Sequence, residues 1–190
     1  MIKEFSNNKE FNKYIIDTTK YRKIGFGPEG TCYLGNDGLV YKCLNGFMGN
    51  DYKINDIITT NDYNLKHFAF PIDIFTDLSH STIYGYNSKC LFNDYFNNYE
   101  AFLEEVDLNK LVKSYYDMLE DIKILSNDNI YLYDLINNLL FNNETLLAID
   151  TLGYYKEDHN TLEENNDNLL RAILMPFHVY YRLDVNFNEI

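Results

Sequence analysis

The chain has 190 residues, of which 46% are apolar and 16% aromatic, enough to build one packed unit and to exclude an intrinsically disordered protein. Its formal charge of −13 repels nucleic acids and anionic membranes, so no partner of either kind is expected, and any anionic ligand needs local cations or a metal. Its N-terminal stretch alternates charged and apolar residues without a hydrophobic run, which predicts a cytoplasmic protein without a secretory signal or membrane span.

The first half of the sequence is predicted to be β-rich after one leading helix. Apolar residues at helical spacing predict an amphipathic helix over residues 3–17. Residues 21–25, 31–35 and 39–44 read as short strands, and Asn-Asp-Gly at 36–38 predicts a hairpin turn between the last two. A weak helix over residues 51–60 and strands over 68–75 and 81–89 complete this half.

The second half is predicted to be mainly helical. One long helix is indicated by apolar residues at helical spacing, namely Leu108, Leu111, Tyr115, Leu119, Ile122 and Leu125. Residues 138–141 and 146–149 flank a tight hairpin turn, and Asn160 with Glu163 resembles the capping box of a last helix, which we expect Pro176 to interrupt. The order of elements predicts an α+β fold, β-rich first and helical second.

A glycine-rich stretch at residues 25–30, Gly-Phe-Gly-Pro-Glu-Gly, fits the pattern G-x-G-x-x-G. In a dinucleotide-binding unit the glycines open a helix, but here residues 31–34 continue as a strand and Pro28 stands where the helix would begin. A glycine loop between two strands instead predicts a flap whose backbone N–H groups approach phosphate. Lys42 follows in an apolar strand, where a buried ammonium needs an anionic partner.

With this loop and lysine, the sequence resembles the protein-kinase-like superfamily, in the form of a minimal, divergent bacterial- or phage-type member. The stretch 39–42, Leu-Val-Tyr-Lys, is similar to the V-A-I-K strand of that family, and the resemblance covers residues 21–153. It implies one kinase-like domain over residues 1–190 with two lobes. These are a β-rich N-lobe with the leading helix, residues 1–90, and a truncated, mainly helical C-lobe, residues 91–190.

The resemblance also implies the residues of a site for ATP and Mg²⁺. Gly25, Gly27 and Gly30 would cover the phosphates and Lys42 would contact them. Cys32 and Val40 would form an apolar roof over adenine, and Leu140 the floor.

Residues 130–140 are similar to the catalytic loop H-R-D-L-x-x-x-N-L-L. Asp134 would accept the proton of the acceptor hydroxyl, while Asn138 and Asp150, which follows a strand as in D-F-G, would bind the metal.

Several positions depart from the family pattern. No glutamate occurs between Gly30 and Tyr99, so the usual partner of the lysine is missing; Asp56 is the predicted substitute, with Asp51 as a second candidate. Leu132 and Tyr133 replace the usual His and Arg. The interval from Asp134 to Asn138 is one residue short, which leaves Asn137 as an alternative metal ligand, and only residues 154–160 separate Gly153 from the last predicted helix, too few for an activation loop.

The function predicted by this resemblance is an ATP- and Mg²⁺-dependent phosphotransferase whose acceptor is a protein hydroxyl or a small molecule. Nucleotidyl transfer remains open as the reaction type. The alternative is a nucleotide-binding or inactive pseudokinase that acts as a protein-interaction scaffold, and a third reading is an acidic interaction protein with an accidental glycine motif. The three cysteines, Cys32, Cys43 and Cys90, are interpreted as plain thiols, and the four histidines lack metal spacing.

Overall fold

The computed structural model describes residues 1–46, 49, 52–89 and 106–181, with side chains up to residue 177. The chain divides into two compact units. The first unit comprises Met1–Asn64 and Ala69–Asn93, and the second comprises Leu65–Phe68 and Asp94–Ile190. Whether these units are the two lobes of a kinase-like fold stays a prediction. The described helices are too short or too polar for any of them to cross a lipid bilayer.

The first unit is built on a six-stranded sheet with one helix, α1, at Asn8–Thr19. Its strands are β1 (Ile2–Phe5), β2 (Lys23–Phe26), β3 (Gly30–Leu34), β4 (Leu39–Leu44), β5 (Asp73–Asp77) and β6 (Ile83–Lys89). Their order across the sheet is β1-β5-β6-β4-β3-β2, and only the pair β1–β5 is parallel. The strands predicted at 21–25, 31–35, 39–44 and 81–89 are therefore confirmed to within two residues, whereas the one predicted at 68–75 begins only at residue 73.

The N-terminal prediction of a helix from residue 3 is wrong. Residues 2–5 extend as β1 and pair with β5, more than 70 positions later in the chain. The helix begins after Asn7, whose side chain accepts from the Glu10 backbone N–H at 3.0 Å. The Glu10 carboxylate in turn accepts from the Ser6 backbone N–H at 2.8 Å. These reciprocal hydrogen bonds satisfy the first free N–H groups of the helix, so the chain turns from strand to helix at this point.

An aromatic core joins α1 to one face of the sheet. Its buried residues come from three strands and the helix: Phe5, Phe11, Ile15, Tyr41 and Phe75. Phe5 and Phe11 meet edge to face at 5.4 Å between ring centroids, and Tyr41 stacks on Phe75 at 5.8 Å. Because neighbouring residues of a strand point to opposite faces, Lys42 lies on the face turned away from this core.

The helix predicted over residues 51–60 is not formed in the described part of that stretch. Residues 54–56 make a single 3₁₀ turn, Ile54–Asp56, and Asp56 is exposed to solvent. Asp51, the second predicted partner of the lysine, lies outside the described residues. The stretch carries two Thr, two Asp and one Asn among ten residues, which compete for backbone hydrogen bonds and favour turns over helix.

The second unit contains two long helices, α2 at Leu108–Asn127 and α3 at Leu162–Tyr181. Between them lie four short strands, β7 (Ile130–Tyr131), β8 (Leu139–Phe141), β9 (Leu146–Ala148) and β10 (Tyr155–Lys156). β8 pairs with β9 and β7 with β10, both antiparallel. The predicted hairpin and both predicted helices are thus confirmed.

Two details of these helices differ from expectation. The buried stripe of α2 includes Ser114 and Met118, while Leu108 is 59% exposed, so the stripe is rotated from the predicted one. Pro176 lies inside α3, which continues to residue 181. Proline removes one backbone hydrogen bond and costs stability, but the helix extends beyond it.

Candidate functional site

A row of cross-strand neighbours places several predicted site residues on one face of the first unit. Gly25 is paired with Cys32, and Cys32 with Lys42. Paired residues in an antiparallel sheet point to the same face, as do residues two apart in a strand, so Val40 belongs to this face as well. Cys32 and Val40 are half-buried. The face opposite the aromatic core therefore presents a small apolar surface beside one lysine.

The glycine loop is a closed turn in this structure. Gly27 N–H donates to the Gly30 carbonyl at 2.9 Å, and Gly30 N–H donates back to the Gly27 carbonyl at 3.3 Å. We expected the loop amides to be directed at a ligand, but these two donate within the turn. A rearrangement of the turn is needed before either N–H can contact phosphate.

The three predicted glycines differ in how much space the surrounding atoms leave for a Cβ atom. A Cβ on Gly30 would stand 2.1 Å from the Cys43 carbonyl oxygen, so glycine is required there by the close approach of β3 and β4. A Cβ on Gly25 would come no closer than 3.9 Å to its nearest neighbour, and one on Gly27 would meet nothing within 4 Å. The described neighbours therefore leave room for a side chain at Gly25 and Gly27.

Lys42 forms an ion pair with Glu29, which the sequence analysis missed. The Lys42 ammonium lies 2.8 Å from a Glu29 carboxylate oxygen, with 9% of the lysine side chain and 37% of the glutamate side chain exposed. The prediction of Asp56 had considered only residues after Gly30. Pairing across the hairpin brings the residue just before Gly30 to the end of β4, a short-range signal that was available in the predicted register.

Asn45 holds the backbone on either side of the Glu29 α-carbon. Its backbone N–H donates to the Glu29 carbonyl at 2.7 Å, and its side-chain amide donates to the Pro28 carbonyl at 2.6 Å. The turn is therefore fixed to the segment that follows β4, independently of the ion pair.

In the second unit, Asp134 is surrounded by the two asparagines predicted as metal ligands. The Asn137 side-chain amide donates to one Asp134 carboxylate oxygen at 2.6 Å, and that of Asn138 donates to the Asp134 carbonyl at 3.1 Å. Asp134 has φ 54° and ψ 31°, the left-handed region, which non-glycine residues enter at a cost. Both amide groups direct their nitrogen at Asp134, which leaves their oxygens directed elsewhere.

Asp150 lies close to this group. The backbone N–H of Ile149 donates to the Asn138 carbonyl at 2.8 Å, which joins the end of the β9 segment to the Asp134 loop. Asp150 also has a left-handed backbone, with φ 57°. Burial raises the pKa of the Tyr154 phenol, and the negative charges of Asp150 and Asp134 raise it further. We call Asp134, Asn138 and Asp150 the oxygen cluster.

A buried asparagine on α3 supports the loop that carries Asp134. The Asn165 side-chain oxygen accepts from Leu132 N–H at 2.9 Å, and its nitrogen donates to the Ile130 carbonyl at 2.7 Å. The same nitrogen lies 3.0 Å from both Ser126 Oγ and Thr161 Oγ1. Asn165 is fully buried. The sequence reasoning missed this residue, since only the threonine-to-asparagine spacing at the start of the helix hints at it.

A buried histidine, His67, links β9 to α2. The His67 carbonyl accepts from Ala148 N–H at 2.8 Å, and the His67 ring lies 2.8 Å from an Asp121 carboxylate oxygen of α2. Burial raises the pKa of Asp121, but hydrogen bonds from the His67 ring and backbone outweigh it, so the net pKa lies below its usual value. β9, which leads to Asp150, is thereby tied to α2.

The other residues considered for chemistry do not form a site. Cys32 and Cys43 are half-buried thiols that form no disulfide with another described residue, and Cys90 lies outside the described residues. Within the described part of the chain, three closely spaced His, Cys, Asp or Glu side chains occur together at Glu157, Asp158 and His159, which are consecutive and largely exposed. Their closeness follows from sequence adjacency alone.

No protein-family model and no curated protein sequence matches the chain. Among solved structures, the chain is similar to the Legionella pneumophila Lpg2603 kinase bound to IP6, with a TM-score of 0.51 and 17% sequence identity. The match covers 83% of this chain and 59% of that kinase, so the chain spans about three fifths of its length. At this identity the likeness concerns the fold. The chain therefore has an α+β, kinase-like fold.

Proposed function

We propose that the chain is an ATP- and Mg²⁺-dependent phosphotransferase of the kinase-like class. The observation that carries the proposal is the oxygen cluster, in which two aspartates with left-handed backbones flank one asparagine in a kinase-like fold. Strained backbone of this kind concentrates at functional sites. The proposal includes transfer of a phosphoryl rather than a nucleotidyl group. It also includes the acceptor, which is a protein hydroxyl or a small molecule.

The sheet of the first unit is proposed to bind the nucleotide. Cys32 and Val40 offer a half-buried apolar surface suited to adenine, and Lys42 lies in the same row as Cys32. Gly25 and Gly27 leave space that a Cβ would fill, as expected where a ligand approaches the backbone closely.

In the second unit, Leu140 is proposed as the adenine floor. It is the half-buried residue between the buried Leu139 and Phe141 of β8, so it points to the other face of that hairpin.

The oxygen cluster is proposed to bind Mg²⁺. Carboxylate and amide oxygens are the ligands that this ion prefers, and the cluster offers both kinds without a competing nitrogen or sulfur ligand among its members. Asn138 is favoured over Asn137 because its carbonyl is bonded to Ile149 N–H, next to Asp150, whereas Asn137 is exposed. When bound, Mg²⁺ neutralises charge on the phosphate oxygens during transfer.

Asp134 is proposed to orient the acceptor hydroxyl and accept its proton. Its carboxylate is exposed and is held by the Asn137 amide. Since phosphoryl transfer depends mainly on positioning and electrostatics, this one carboxylate is sufficient as the proton acceptor in the absence of the usual His and Arg.

A pseudokinase scaffold is the second candidate function. It is favoured by Leu132, which is completely buried where the family carries a polar residue, and by the internal use of the Gly27 and Gly30 amides. A scaffold of this kind binds a nucleotide weakly or not at all and acts through a protein partner.

Thermal unfolding with ATP, in the presence and absence of Mg²⁺, separates these functions. At a free ATP concentration 100 times Kd, binding stabilises the protein by about 2.7 kcal/mol, or roughly 5–11 °C for a chain of this length. We expect this shift to need Mg²⁺, to be lost in Asp150→Asn and Lys42→Ala, and to persist in the control Asp117→Asn on the exposed side of α2.

Transfer itself is measured with ATP labelled at the γ-phosphate, using the protein and small hydroxyl compounds as acceptors. Mg²⁺-dependent binding with transfer that Asp134→Asn abolishes supports the enzyme. Binding that is indifferent to Mg²⁺ and to Asp150 contradicts it and favours the scaffold.

A further inference from the structure

We propose that Glu29 is the positioning residue of Lys42, so that the glycine loop itself supplies the carboxylate that the resemblance assigns to a helix. The inference rests on the proposed function, because it concerns how the lysine is held for nucleotide phosphate. It begins from the ion pair between the two side chains at 2.8 Å.

Burial makes a carboxylate partner of Lys42 necessary. The lysine side chain is only 9% exposed, and an ammonium removed from water needs a nearby negative charge to remain charged. Asp56 lies in an exposed 3₁₀ turn. Glu29 is thus an acidic residue that the fold places within ion-pair distance of this lysine.

The position of Glu29 is set before any ligand arrives. Asn45 binds the carbonyls of Pro28 and Glu29, and because neither hydrogen bond uses the Gly27 or Gly30 N–H group, both can persist when the glycine turn rearranges. The carboxylate therefore extends from a backbone that has little freedom to move away from the end of β4. A partner fixed in this way restricts the lysine to one orientation at little further entropic cost.

Glu29 and a phosphate group are able to bind the lysine together. An ammonium has three N–H donors, so one lysine can bind a carboxylate and a phosphate oxygen at the same time. Because Glu29 belongs to the glycine loop, the orientation of the lysine depends on the loop conformation. Loop and lysine then act as one phosphate-binding element of the sheet.

The test compares the binding of Mg²⁺–ATP and of adenosine to the full chain by calorimetry. We expect Glu29→Gln to weaken ATP binding about tenfold or more, the scale of a charge-assisted contact, and to leave adenosine binding unchanged. Adenosine lacks phosphates, so it reports whether the adenine surface is intact. The matched control is Glu144→Gln, which removes another turn glutamate paired with a lysine, Lys110, and should change neither ligand.

A double-mutant cycle with Lys42→Met assigns the effect to the pair. If Glu29 acts by positioning the lysine, Glu29→Gln has no further effect once Lys42 is replaced. Glu29→Asp, which keeps the charge on a shorter side chain, should recover part of the lost ATP affinity.

Each other outcome has a definite meaning. Tighter ATP binding by Glu29→Gln would show that the carboxylate competes with phosphate, and equal loss of ATP and adenosine would show a structural role; both overturn the inference. If Lys42→Met weakens ATP binding but Glu29→Gln does not, this inference fails while the proposed function stands. If wild-type protein binds no ATP, or if Lys42→Met is without effect, the proposed function itself fails, and this inference with it.

Discussion

Replacing Asn165 by leucine should loosen the loop that carries Asp134. Asn165 is fully buried and binds both Leu132 N–H and the Ile130 carbonyl. Leucine has the same branching but is bulkier and has no polar group, so the substitution leaves no cavity, removes the hydrogen bonds and adds some overpacking. Leu132 N–H then loses its partner in the interior, while the Ile130 carbonyl keeps the Thr161 hydroxyl, 2.8 Å away.

The expected cost follows from these contacts. A buried N–H left without a partner costs about 1–3 kcal/mol, and each lost hydrogen bond of the amide nitrogen costs roughly 0.5–1.5 kcal/mol. A loss of about 3 kcal/mol is therefore expected, which lowers Tm by roughly 6–12 °C in a chain of this length. Differential scanning calorimetry measures the Tm, and urea unfolding gives the free energy.

The matched control is Asn168→Leu, one turn further along α3. Asn168 is half-buried and makes a single long contact, 3.3 Å to the Tyr131 hydroxyl, so its replacement should cost less than about 1 kcal/mol. A Tm for Asn165→Leu within about 2 °C of wild type would refute the role of this asparagine in supporting the loop.

Three further predictions concern other positions. Gly30→Ala should destabilise the protein by about 1–3 kcal/mol in urea unfolding, because its Cβ would overlap the Cys43 carbonyl. Gly27→Ala should change the unfolding free energy by less than about 0.5 kcal/mol, and equal stability of the two variants would contradict the geometry. Because the pKa of Asp121 is lowered in the folded protein, its carboxylate stabilises the fold above the ordinary aspartate pKa, and this stabilisation is lost as the pH falls. Asp121→Asn should therefore flatten the decline in unfolding free energy below about pH 4, and an unchanged pH profile would contradict this. Burial, and next the neighbouring Cys32, raises the pKa of the Cys43 thiol to about 12, so iodoacetamide at pH 8 should label it in peptide maps only after unfolding, and rapid native labelling would disprove this.

The elements that the sequence predicted are those specified by nearby residues. Strands β2, β3 and β4 follow from short β-rich runs and an Asn-Asp-Gly turn, and α2 follows from its apolar spacing. β1 was missed because its partner β5 is distant in the chain and an isolated tetrapeptide shows no pairing preference. The start of α1, by contrast, is marked locally by Asn7 and Glu10, whose spacing is that of a capping box. The sequence analysis overlooked this signal.

The candidate site divides in the same way. The spacing of Asp134 and Asn138 in the sequence was sufficient to predict that they lie together, because they are separated by one turn of chain. Asn165 acts through contacts that depend on how segments fold against each other, which composition and periodicity do not reveal, whereas the pairing of Glu29 follows from the predicted register of β3 and β4. The family pattern directed attention to a helix for the acidic partner, which is why the loop glutamate was overlooked.

The positive φ angles of Asp134 and Asp150 have a consequence for sequence change over time. Aspartate, asparagine and glycine tolerate this backbone region far better than alanine or branched residues do. The backbone requirement is therefore independent of the proposed chemistry. In relatives that lack the proposed phosphotransferase activity, we expect these two positions to carry mainly asparagine or glycine, which remove the carboxylate and keep the backbone conformation.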